Sequence, residues 1–198
     1  MPSKHAELKN SFGTFSFFLV GLANFFLMVY YISTGILMSI AIEEHLKTWF
    51  ANKTKVAIAG IGNPIRTDDY VGLKIVEQLK GKVPETVLLL EAETIPESYL
   101  SNIEDFKPSH VLLIDAANLG LKPGQARLVD PEAIANYDAV TTHILPLRIF
   151  CEYVKQATGA KIALLLIEPK SMEFGEGLTP QVETTTQNLI KTLTKLFV

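Results

Sequence analysis

The sequence predicts an α/β fold of three layers: a mostly parallel, twisted sheet of about five strands, one of them antiparallel, with helices on both faces. Two observations predict it. Short apolar runs of strand length recur along the chain, and between them stand segments with helical spacing or a proline opening, separated by turn residues. Alternation of that kind joins parallel strands through crossover helices.

The first unit is Lys55–Gly72, KVAIAGIGNPIRTDDYVG. Val56 and Ile58, with the small Ala57 and Ala59, form an apolar run ended by Gly60, which suits a strand covered on both faces. Gly60 and Gly62 allow a sharp turn and Pro64 stiffens the exit. Asp68 and Asp69 follow, then a helix with Val71, Ile75, Val76 and Leu79 on one side. Ahead of this unit, Glu43–Phe50 reads as a short helix that places Leu46, Trp49 and Phe50 in the core.

Thr86–Leu90 is a second strand, and Pro96 opens a helix through about Phe106, with Glu97 in its first turn. His110–Ile114 is a third strand ending directly on Asp115. After the turn residues Gly120, Pro123 and Gly124, Ala126–Val129 reads as an antiparallel edge strand. Thr141-Thr142-His143 falls on a loop before a helix opened by Pro146, which carries Leu147, Phe150, Cys151 and Val154. Lys161–Ile167 is the last strand, and Pro180 opens a final helix to Phe197.

Residues 1–42 stand apart from the domain expected over 43–198. No charge occurs between Lys9 and Glu43, and Phe15–Ile32 is nearly all apolar. A bilayer-spanning helix needs about 20 such residues, so residues 12–37 read either as a membrane tether or as sequence upstream of a true start at Met38.

Composition excludes several classes. A net charge of −3 argues against a nucleic-acid partner, which would need a basic face. A lone cysteine, Cys151, fits a reducing, cytoplasmic setting and reads as a buried small hydrophobe. GIGNPI lacks the third glycine of a dinucleotide fingerprint, no phosphate-loop lysine follows it, and neither CxxC nor HExxH occurs, so no organic cofactor is expected.

Three polar residues remain where strands finish: Asp69, Asp115 and His143. Two carboxylates and an imidazole suit a divalent ion such as zinc or nickel, provided the fold brings them together. Each has an ordinary alternative: a helix N-cap for Asp69, an Asx turn for Asp115, a satisfied loop histidine for His143.

Four ordered motifs go further. GIGNPIRTDDYVG, LLIDAANLGLKPGQARLVDP, TTHILPL and IEPKSMEFGEGLTPQV together resemble the HycI-type maturation endopeptidases of NiFe hydrogenases, from about Lys55 to Val198. The resemblance implies a peptidase that removes the C-terminal extension of a hydrogenase large-subunit precursor after nickel insertion. It implies that Asp69, Asp115 and His143 are catalytic and contact nickel carried by the substrate's cysteine thiolates. Asp68 is then the understudy for general base, with a turn or capping role favoured, and the glycines would clear space beside Asp69 for the incoming metal. Glu168 stands where the family usually has Gln, a departure expected to tune which precursor is accepted. The alternatives are a non-catalytic nickel-binding chaperone and a peptidyl-tRNA hydrolase-like enzyme.

Overall fold

The computed structural model describes residues 41–133 and 144–198. The apolar segment Phe15–Ile32, the alternative start at Met38 and the loop Thr141–His143 lie outside the described residues. Among the described residues no helix is long and apolar enough to cross a membrane.

Five strands form one sheet: β1 (Val56–Ile61), β2 (Val87–Glu93), β3 (His110–Ala116), β4 (Ala126–Val129) and β5 (Lys161–Ile167). Their order across the sheet is β2-β1-β3-β5-β4. All neighbours pair in parallel except β4, which runs antiparallel to β5 as its edge. The helices are α1 (residues 41–49), α2 (Val71–Leu79), α3 (Leu100–Phe106), α4 (Ile144–Thr158) and α5 (Pro180–Phe197).

Alternate strand residues feed two cores. Ile58, Leu112, Ile114 and Leu165 pack with Leu46 of α1, Ile75 of α2 and Leu193 of α5. Ala57, Ala59, Val111, Leu113 and Leu164 pack on the other face with Ile103 of α3 and Phe150 and Val154 of α4. A central strand buried on both faces has no polar side to show, which is why β1 and β3 read as continuous apolar runs. Each fully buried Leu or Ile contributes about 2 kcal/mol through removal from water.

Several boundaries moved, among them the start of α4, which lies at Ile144 ahead of Pro146. The second strand continues past Leu90 to Glu93, because Glu91 pairs with Gly60 and Glu93 with Ile61 across an irregularity. The helix expected from Pro96 starts as a 3-10 turn, Pro96–Tyr99, and becomes α-helical only at Leu100. The third strand does not stop before Asp115: Asp115 pairs with Leu166 and Ala116 with Ile167, so the carboxylate sits one residue inside the strand end. Trp49 is a half-buried core residue, with its ring 4.7 Å from Phe50 and 5.0 Å from His110.

The strand order fixes where a ligand can sit. From β1 the chain leaves toward β2 on one side, then returns to β3 on the other. The carboxyl ends of β1 and β3 therefore diverge at a topological switch point, and the crevice outside them is where open α/β sheets bind ligands.

Candidate active site

Glycines press the start of α2 against this crevice. A Cβ on Gly60 would lie 2.3 Å from the carbonyl oxygen of Gly72, and one on Gly72 would lie 2.2 Å from that of Ile114. Only two facing glycines let the helix approach β1 and β3 so closely. Gly62 has φ +134°, and a Cβ there would fall 1.7 Å from the carbonyl oxygen of Asp69. The expectation that the glycines clear space for a metal is therefore corrected. Backbone fills the space beside them, and their effect is to hold the 3-10 turn Thr67–Tyr70 and its Asp69 over the strand ends.

Asp69 and Asp115 meet there, 4% and 1% exposed. Asp69 is not the N-cap of α2; that position is Tyr70, whose side chain makes no capping hydrogen bond. Asp115 is no Asx turn either, since its Oδ1 accepts the N–H of the adjacent Ala116 at 2.8 Å. Burial pushes the Asp115 carboxyl up to about 7, and the neighbouring charge of Asp69 adds to the rise, against the pull of the Ala116 hydrogen bond. Asp115 therefore gives up a proton readily near neutral pH, and a cation arriving beside the two carboxylates would displace it. Among the described residues no group of three metal-ligating side chains occurs. The third predicted member, His143, lies outside the described residues, one position before α4 begins at Ile144.

Asp68 does different work from its neighbour. It is fully buried, and its oxygens accept the N–H groups of Lys170 (2.8 Å), Ser171 (3.0 Å) and Thr179 (2.7 Å) and the hydroxyl of Thr179 (2.9 Å). With its lone pairs so occupied it is a brace, not a base. Around it Thr67 Oγ1 donates to Ser171 O at 2.7 Å and Arg66 Nε to Met172 O at 3.2 Å, so the loop after β5 is strapped to the turn that carries Asp69.

Glu168 was missed as a second brace. It is 7% exposed and accepts the N–H groups of Leu119 (2.6 Å) and Leu121 (3.2 Å), fixing the loop that follows Asp115. It points inward at its own chain, which corrects the expectation that it selects a partner. The signal for Glu168 is a carboxylate directly after the apolar strand β5, whereas Asp68 sits in a polar turn, and neither partner set is local in sequence.

The other chemical candidates lie elsewhere. Cys151 is buried, and burial pushes its thiol up to about 12, which removes it as a nucleophile. His110 is at the opposite end of β3, where burial lowers its pKa and Ser109 Oγ lies 2.9 Å from Nδ1. A cavity of about 330 Å³ beside Trp49, Cys151 and Lys161 opens at that same far end, where β5 begins, and has no part in the carboxylate pair.

Comparison with known proteins matches this fold. Residues 73–196 match the HycI family of hydrogenase maturation proteases, a span that includes Asp115 and His143 and begins just after Asp69. A protein of Methanocaldococcus jannaschii described as a hydrogenase maturation protease is 32% identical over 162 residues, 78% of this chain and 95% of its own length. The hydrogenase 3 maturation protease of Escherichia coli K12 is 26% identical over 133 residues, 67% of this chain and 85% of its own. The crystal structure of the HycI protease from Thermococcus kodakarensis is 35% identical, with a TM-score of 0.70 over 77% of this chain and 97% of that one.

Proposed function

The chain belongs to the hydrogenase maturation protease family and is a peptidase, and from that premise we propose that it removes the C-terminal extension of a NiFe-hydrogenase large-subunit precursor once nickel has been inserted. The observation that carries the proposal is the burial of Asp69 and Asp115 together at the switch point, with their charges felt by each other. Two carboxylates kept out of water at close range favour a cation between them. In this reading the cation is substrate: nickel already held by the precursor's thiolates, to which Asp69, Asp115 and His143 add oxygen and nitrogen ligands.

Recognition and placement are then one event. Binding the metallated site fixes the scissile peptide against the carboxylates, and an ordered reactant reacts faster than a diffusing one. A precursor without nickel offers no such anchor. Asp115, its carboxyl pushed up to about 7 by burial, is matched to proton transfer at neutral pH. Membership of a peptidase family sets aside the peptidyl-tRNA hydrolase-like and non-catalytic chaperone readings.

The test is cleavage of a purified precursor, loaded with nickel or free of it, by the wild-type chain and by Asp69→Asn and His143→Ala. The expected result is cutting only of nickel-loaded precursor by wild type. Normal processing by either variant would remove the roles assigned to those side chains.

A further inference from the structure

The strapped loop carries side chains that its own bracing does not use. Ile65 is 58% exposed and Phe174 is 75% exposed. Arg66 and Gly175 form a parallel bridge, with Gly175 N–H donating to Ile65 O at 3.1 Å and Thr67 N–H to Gly175 O at 3.0 Å. Ile65 and Phe174 are the residues just before this bridge, one on each segment. The Arg66 guanidinium lies 5.1 Å from the Phe174 ring while its Nε is bonded to Met172 O, which holds the ring in place. Scattered surface hydrophobes need no explanation, but an exposed Ile and Phe flanking one bridge between segments tied together through a buried Asp68 are a preordered apolar surface.

That surface is continuous with the site. The Asp69 N–H donates to Arg66 O at 2.9 Å, so one turn of chain separates the exposed pair from the buried carboxylate. A polypeptide whose scissile bond sits at Asp69 must pass beside it. Rigid aromatic anchors lose little entropy on binding and dominate interface energies.

We propose that Ile65 and Phe174 form an apolar docking lip for the hydrogenase precursor polypeptide, held open beside the active site by the Asp68 brace; this rests on the processing function proposed above. The lip supplies affinity for the polypeptide, and the carboxylates supply recognition of the metal. Removing the lip therefore acts on KM and leaves the chemical step alone.

The experiment is steady-state cleavage of nickel-loaded precursor by the full chain, comparing wild type with Ile65→Ala, Phe174→Ala, Phe174→Leu and a control, Val198→Ala, which removes another exposed apolar side chain (94%) at the end of α5. The expected result is KM raised about five- to thirtyfold by Phe174→Ala, less by Phe174→Leu and not at all by the control, with kcat and thermal midpoint unchanged. An unchanged KM with active wild type overturns the lip and leaves the processing function standing. A fall in kcat alone also overturns it, as does a Phe174→Ala variant whose only change, by sedimentation, is loss of self-association. Wild type that cuts no precursor overturns the processing function and the lip with it.

Discussion

Replacing Asp115 by asparagine removes an ionisable group that the fold buries against its preference. The folded carboxyl titrates at about 7 in place of 3.8, because burial and the Asp69 charge both disfavour its anion. Between those values the folded chain keeps a proton that the unfolded chain has lost, so stability falls as pH rises from about 4 to about 7 and stays low above. At about 1.4 kcal/mol per pH unit, the deficit reaches about 4 kcal/mol at pH 8 and is below about 1 kcal/mol at pH 4. Asparagine carries no such deficit and can still accept the Ala116 N–H. Urea unfolding of the metal-free chain should therefore find Asp115→Asn more stable than wild type by up to about 4 kcal/mol at pH 8, with the gain nearly gone at pH 4. His110 works in the opposite direction, since its lowered pKa removes stability as pH falls below 6.5, but it is common to both proteins and cancels in the difference. Equal stabilities at pH 8, or a larger gain at pH 4, would refute the account of the pair. The stabilised variant should also be inactive, stability having been exchanged for function.

Other perturbations separate the neighbours of the pair. Gly62→Ala forces a Cβ into the Asp69 carbonyl at φ +134°, so it should cost at least about 3 kcal/mol in denaturant unfolding and abolish cleavage; wild-type behaviour would disprove the close approach. Asp68→Asn turns an NH2 toward donors on Lys170 and Ser171 and should cost about 2–4 kcal/mol in denaturant unfolding. Phe174 should be an early site of limited proteolysis only if the strap is released, so chymotrypsin should cut there faster in Asp68→Asn than in wild type.

What could be read from the chain follows the range of the interactions involved. The central strands β1 and β3 were legible because strands buried on both faces must be apolar throughout, and Ala126–Val129 and Lys161–Ile167 were found with the bounds the structure has. The end of β3 was less legible, because Ala116 is as apolar as the strand before it and pairing with Ile167 extends the ladder past Asp115. Asp69 and Asp115 stood out as carboxylates at strand exits, and the strand order brings them together. Asp68 and Glu168 could not be assigned braces in advance, because their partners lie 102 to 111 and 47 to 49 residues away. The glycines were misread for a related reason. A glycine signals close approach, but what approaches it (here Asp69 and Gly72 backbone) is a property of the packed helix.

The central claim is that nickel carried by the precursor gains ligands from Asp69, Asp115 and His143. Nickel-edge X-ray absorption of the loaded precursor, alone and with the chain trapped before cleavage, measures this directly. The account predicts that added oxygen and nitrogen donors join the sulfur shell on complex formation, and that His143→Ala removes the nitrogen contribution. A nickel coordination shell identical in the free and bound precursor, with cleavage intact, would contradict it.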